Sequence, residues 1–129
     1  MGPKVQALSH YIFVRATKND YREILSLMHD TYFKEEPTCH ALGVTRNALL
    51  DEGALNAMAE GVSVVARCKY DGALVGAAVN ESTHPWDPDM KEKFACSVCC
   101  PKVKRLLLFY AHVQRVARGL EEEFGAEGL

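Results

Sequence analysis

Two adjacent glutamates stand before a proline at Glu35-Glu36-Pro37, and a carboxylate is a side chain that can serve as a general base. Proline cannot continue a helix and favours an extended backbone at the residue before it, so we expect Glu36 to be fixed where a helix breaks into a loop. The rings of Tyr32 and Phe33, one turn earlier, could shield this carboxylate from water. Shielding would raise the pKa of Glu36 toward neutrality, as a general base requires. An acidic helix end without chemistry is the competing interpretation, and spacing alone favours it.

The elements before and after this tripeptide follow from the spacing of apolar residues. Tyr11 to Arg15 is rich in β-forming residues and predicts a first strand. A helix start at Asp20 is indicated by a capping-box-like pattern, and apolar residues at helical spacing carry that helix to Pro37. Thr45 is the expected cap of a second helix, which ends at Gly61.

The second half of the chain predicts a hairpin and two more helices. Asp71-Gly72 is a tight-turn dipeptide between two apolar, β-rich runs, Val62 to Tyr70 and Ala73 to Asn80. After a polar loop at 81–90, we expect a helix from Met90 to Cys100 and a long helix from Lys102 to Phe124. The predicted order is strand, two helices, hairpin and two helices.

Composition limits the classes of function. A chain of 129 residues with 48% hydrophobic and 25% charged residues is typical of one globular domain. A formal net charge of −2 gives no reason to expect a nucleic-acid or membrane-surface partner. Five cysteines, an odd number, favour a reducing compartment. With no signal-peptide pattern and no apolar run of membrane-spanning length, we expect a cytoplasmic protein.

The cysteines offer two further kinds of chemistry, and neither is favoured. Cys96 and Cys99 have the spacing of half a zinc site, but the matching second half is missing, so no metal is predicted. Cys39 beside His40 could be a nucleophile. The carboxylates just upstream would raise the pKa of that thiol rather than lower it.

Three segments, taken in order, carry a family resemblance. They are YIFVR-ATKNDY, TYFKEEPTCHALG (Thr31 to Gly43) and EGVSVVARCKYDGALVGAAVN (Glu60 to Asn80). Together they resemble the insect-type arylalkylamine (dopamine) N-acetyltransferases, a branch of the GNAT acetyltransferase superfamily. The resemblance runs from about Tyr11 to Phe124.

The resemblance implies a fold and a set of site residues. Residues 1–129 would form the amino-terminal part of a GNAT domain, an α+β fold with about three mostly antiparallel strands and flanking helices. Glu36 would be the general base that removes a proton from the substrate amine, usually through water. Glu35, Pro37 and Tyr32 would contribute to binding of the amine. Thr38-Cys39 stands where the family has Leu-Asn, which would alter the amine pocket.

The same resemblance implies acetyl-CoA as co-substrate, but the family's glycine-rich loop for its pyrophosphate is not found in this sequence. We therefore expect a truncated acetyltransferase that is inactive alone, with no cofactor-binding residue. The strand Ala73 to Asn80 would become an exposed edge through which the chain self-associates. The alternative function is a non-catalytic amine-binding or interaction remnant of an acetyltransferase. A third hypothesis is a generic small α+β domain whose likeness to this family is accidental.

Overall fold

The computed structural model describes residues 9–44 and 47–124. In chain order the strands are β1 (Tyr11–Arg15), β2 (Val64–Cys68) and β3 (Leu74–Ala78). The helices are α1 (Tyr21–Leu27), α2 (Phe33–Glu35), α3 (Pro37–Leu42), α4 (Ala48–Ala59), α5 (Asp87–Ser97) and α6 (Pro101–Phe124). A 3₁₀ turn, Lys18–Asp20, precedes α1, and a wide π-helical turn, Met28–Tyr32, joins α1 to α2.

The described residues divide into two compact units. The first takes 9–33 and 47–82, and so holds the whole sheet together with α1 and α4. The second takes 34–44 and 83–124, and holds α3, α5 and α6. That residues 1–129 make one acetyltransferase-type domain stays a prediction.

The sheet is antiparallel, with the strand order β1-β2-β3. Val14 lies opposite Val65, and β2 pairs with β3 around a turn in which Gly72 has a φ of 73°, a conformation that favours glycine. The register shifts beside Arg67, which marks a bulge. The predicted hairpin and the α+β fold are confirmed, and in the described chain β1 and β3 are the sheet edges.

One face of the sheet is covered by α1 and α4, which gives the first unit its core. The wholly or almost wholly buried side chains are Ile24 from α1, Met58 from α4 and Val65 from β2. They pack because apolar residues recur at helical spacing on both helices and in alternation along β2. By contrast β1 is exposed along its full length, and Phe13 keeps 58% of its surface in water.

The predicted continuous helix up to Pro37 is wrong in detail. The helix widens into the π turn and ends at Glu35, and Pro37 then opens α3 instead of a loop. Proline suits a first helical position because the N–H it lacks has no helical acceptor there. Gly43, with a φ of 67°, ends α3.

The second unit is built on the long helix. Helix α6 begins at Pro101, one residue before the predicted start, and packs against α3 and α5. Helix α5 begins at Asp87 instead of Met90, since Pro88 and the acidic residues of its first turn all favour a helix start. Within the described ranges, no helix is both long and apolar enough to cross a membrane.

The predicted cap of the second helix, Thr45, lies outside the described residues. In the structure Asn47 occupies the capping position of α4, where its side-chain oxygen accepts the N–H of Leu49 at 2.9 Å. Asparagine is among the residues preferred there because its short side chain reaches the free N–H groups of the first turn.

Candidate functional site

Glu36 lies at the junction between two helices, after α2 and before α3. Its backbone is extended, with φ −59° and ψ 126°, as the following proline requires. Its side chain turns back onto α3, where Oε2 accepts the backbone N–H of Cys39 at 2.7 Å. Glu36 is therefore the N-cap of α3. Its extended backbone and the hydrogen bond from Cys39 together fix its half-buried side chain.

The electrostatics of Glu36 differ from the expectation. Burial by itself raises the pKa of the carboxyl, but hydrogen bonds from Cys39 and Thr38 outweigh it, so the pKa of Glu36 lies below its ordinary value of 4.5. The expected rise toward neutrality is wrong because capping N–H groups stabilise the charged form. The carboxylate is ionised at neutral pH, and no cationic side chain in the described chain pairs with it.

Cys39 is the buried neighbour of this carboxylate. Its side chain is fully enclosed. Burial, with the nearby negative charge of Glu36, raises the pKa of the thiol to about 11, although a hydrogen bond with Tyr110 acts in the opposite direction. The thiol is thus protonated at neutral pH, which is the direction expected from the sequence and is unsuited to a nucleophile.

The other predicted site residues do not converge on Glu36 equally. Glu35 ends α2 and Pro37 begins α3, so both flank it and both are exposed. Tyr32 is 44% exposed and meets Phe33 edge-on, with 5.3 Å between ring centroids. Tyr32 belongs to the first unit and Glu36 to the second, so shielding of the carboxylate by that ring stays a prediction.

Residues in the third of the resembling segments meet in the first unit. The hydroxyl oxygen of buried Ser63 accepts the N–H of Asn80 at 3.0 Å, and the Asn80 amide donates to the carbonyl of Val62 at 3.0 Å. These bonds tie the residues before β2 to those after β3. This motif therefore works as a structural clamp for the hairpin.

The residues that are described do not fit the pyrophosphate of acetyl-CoA. A phosphate cradle needs a glycine-rich turn that leads from a strand into a helix amino terminus. Between β1 and the 3₁₀ turn the chain is Ala16-Thr17, and between β3 and α5 it is 79–86, which holds no glycine. Nor do the described residues group three or more His, Cys, Asp or Glu side chains as a metal site would.

Sequence reasoning missed a cluster of charges in the first unit. Arg67 of β2 donates to Asp20 at 2.6 Å and to Glu23 at 2.9 and 3.2 Å, and also to the carbonyl of Gly72 at 2.9 Å. A hydrogen bond from the Thr17 backbone and then the guanidinium lower the pKa of Asp20. The available signal was an arginine at a core-facing position of a strand, two residues from buried Val65.

Comparisons with known proteins show a similarity of fold. No protein-family model and no curated protein gives a significant match to the chain. A solved structure of a mosquito arylalkylamine N-acetyltransferase like 5b is similar over 89% of this chain, with a TM-score of 0.80 and 19% identity. Arylalkylamine N-acetyltransferase 2 from Aedes aegypti is similar over 88%, with a TM-score of 0.76 and 21% identity.

The fold is therefore that of part of a GNAT-type acetyltransferase, as the resemblance predicted. The chain spans about half the length of the solved structures it matches, 55% of the first and 54% of the second.

Proposed function

We propose that this chain supplies the amine-facing part of an arylalkylamine N-acetyltransferase, with Glu36 as the general base. One observation carries the proposal: a half-buried, ionised carboxylate, which no cationic side chain of the described residues pairs with, is fixed at a helix junction. The likeness to two arylalkylamine N-acetyltransferases supports the same reading at the level of fold.

The chemistry suits a protonated amine. An alkylamine carries a proton at neutral pH, as lysine does, and must lose it before nitrogen can act as a nucleophile. The Glu36 carboxylate is in the ionised form that attracts an ammonium group and accepts its proton, directly or through one water. A bound aryl group would exclude water and so increase the basicity of the carboxylate.

The neighbouring residues take supporting roles in this proposal. Glu35 adds a second negative charge beside the ammonium group, and Pro37 fixes the backbone that aims Glu36. Tyr32 contributes an exposed ring on which the aryl group of the amine packs. Thr38-Cys39 contributes backbone N–H groups that hold the carboxylate in place.

The second substrate of the reaction would be acetyl-CoA, which the family resemblance implies. The described residues offer no binding loop for its pyrophosphate. We propose that acetyl transfer requires a strand, loop and helix additional to those described here, and that the chain is a fragment, inactive alone. We further propose a cytoplasmic location, with no nucleic-acid or membrane partner, and self-association through the free edge of β3.

Binding measurements on the chain test this proposal. Titration with tyramine, followed by NMR, should give saturable shifts at residues 35–39, and Glu36→Gln should weaken binding about tenfold by removing the charge. Glu35→Gln, beside it, should have a smaller effect. Calorimetry with acetyl-CoA should show no binding. Tight acetyl-CoA binding, or tyramine binding unchanged by Glu36→Gln, would overturn the proposal.

The second candidate is a non-catalytic amine-binding or interaction remnant. It is favoured by the exposed apolar residues of β1, since an edge strand that exposes apolar side chains invites pairing with another chain. Both candidates predict binding of an amine. They differ when the rest of an arylalkylamine N-acetyltransferase is supplied, because only the catalytic candidate then gains acetyl transfer.

A further inference from the structure

A cleft lies between α1 and α4 in the first unit, and nothing in the proposed function uses it. Its volume is about 370 Å³, which is within the range of small-molecule sites. The lining side chains are Arg22, Leu25, Ser26, His29 and Leu55. Three of these carry nitrogen or oxygen donors, and two are apolar.

Helical spacing brings these side chains together. Arg22 and Ser26 are one turn apart on α1, and His29 follows three residues later. On α4, Asp51 and Leu55 are likewise one turn apart. Each helix therefore contributes one row of side chains, and the two rows form the walls of the cleft.

A hydrogen bond between two side chains fixes one wall of the cleft against the other. His29 Nε2 lies 2.7 Å from Asp51 Oδ1, and the two side chains are only 13% and 18% exposed. His29 is the second residue of the π turn, Met28–Tyr32. Single π turns are common at functional sites because they re-aim the side chains they carry.

The cleft holds a cationic side chain that has no partner among the described residues. Arg22 is exposed, and no described side chain pairs with it, while Glu23 beside it is held by Arg67. Asp51 faces His29. The guanidinium is a fork of donors that matches the oxygens of a carboxylate or phosphate. Leu25 and Leu55 offer apolar surface beside it.

We propose that this cleft binds a small ligand that carries one anionic group on a short apolar chain. Arg22 and the Ser26 hydroxyl bind the anion. Leu25 and Leu55 contact the apolar part, and the His29–Asp51 pair holds the two helices at the spacing that the ligand needs. The site is independent of Glu36 and of amine acetylation, so either can fail without the other.

NMR titrations of the full chain test this site with defined probes. Butyrate and butyl phosphate should each give saturable amide shifts at Arg22, Ser26 and Leu55, and their relative affinities distinguish a carboxylate from a phosphate ligand. Butyrate should bind about fivefold more tightly than acetate, because its two additional methylene groups are partly removed from water against the leucines. Butylamine, with the opposite charge, should give no saturable shift at these three residues.

A matched pair of variants locates the anion. Arg22→Gln should weaken butyrate binding about tenfold. Arg105→Gln, which removes an exposed arginine of α6, should leave it unchanged. Equal binding of acetate and butyrate, saturable binding of butylamine at the same residues, or equal effects of the two substitutions would each overturn the proposal.

Discussion

Two carboxylates with lowered pKa values occupy different settings, one in each unit. Asp20 accepts hydrogen bonds from Thr17 and is paired with the Arg67 guanidinium at 2.6 Å. In the described chain, Glu36 accepts hydrogen bonds from uncharged groups, the backbone N–H groups and side chains of Cys39 and Thr38, against the opposing effect of its own burial. Both are ionised at neutral pH, but within residues 9–44 and 47–124 Asp20 has a cationic partner and Glu36 has none.

The difference separates a structural carboxylate from one available for proton transfer. A carboxylate that is paired with arginine cannot take a proton without leaving a cation unmatched. Glu36 can take one at the cost of a capping bond. A lowered pKa by itself does not distinguish Asp20 from Glu36. The hydrogen-bond donors do, because one carboxylate accepts from a charged guanidinium and the other from uncharged groups.

The largest effect on stability is expected at the paired carboxylate. Asp20→Ala removes the counter-charge of Arg67 and the acceptor of two Thr17 bonds, and should lower the free energy of unfolding by about 2 kcal/mol. Urea denaturation measures it. Asp30→Ala, at an exposed position of the π turn, is the control and should stay within about 0.5 kcal/mol.

A smaller loss is expected at the capping carboxylate. Glu36→Ala removes the N-cap of α3 and should cost about 1 kcal/mol, whereas Glu36→Gln keeps an oxygen for the Cys39 N–H and should cost less. Thermal denaturation of the two variants beside Glu35→Ala separates capping from a general loss of charge. If Glu36→Ala were as stable as Glu35→Ala, the cap would contribute nothing.

Acid should reduce the contributions of Glu36 and Asp20 to the free energy of unfolding in a defined order. A carboxyl with a lowered folded-state pKa stabilises fully above its ordinary value and loses that effect as the pH falls through the folded value. The loss therefore begins below 4.5 for Glu36 and below 3.8 for Asp20. The stability gap between the native chain and Glu36→Gln should shrink below pH 4.5. A gap that grew on acidification would contradict the assigned direction.

The smallest effect concerns the thiol beside Glu36. With a pKa of about 11, only about one thousandth of Cys39 is thiolate at pH 8, so iodoacetamide should modify exposed Cys96 and Cys99 first. Glu36→Gln removes a charge that raises this pKa and should speed modification of Cys39 modestly. Mass spectrometry of timed digests gives the rates, and faster labelling of Cys39 than of Cys96 would refute its burial.

Local patterns predicted the regular elements well. The hairpin around Asp71-Gly72 and the helix up to Phe124 were predictable because β-branched runs, a turn dipeptide and a 3.6-residue period are local signals. The junction at Pro37 was half predicted, since proline both ends one helix and begins another.

The electrostatics of both regions depended on contacts that spacing does not encode. Arg67 and Asp20 are 47 residues apart in sequence, and only strand packing brings them together. At Glu36 the sequence indicated the position, but the pKa direction depended on the side chain folding back to the Cys39 N–H. The sequence indicated that Glu36 would be shielded from water. It did not indicate the hydrogen-bond donors whose effect on the pKa of Glu36 outweighs that of burial.

The most direct test of the central claim is the rate of a chimera. This chain would replace the matching portion of the mosquito arylalkylamine N-acetyltransferase like 5b, and acetylation of tyramine would be followed with acetyl-CoA as donor. We predict that Glu36→Gln, which retains the cap oxygen, lowers kcat/KM by about 100-fold or more and alters its pH profile, while Glu35→Gln changes it about threefold at most. An active chimera whose rate and pH profile are unaffected by Glu36→Gln would contradict the assignment of Glu36 as the base.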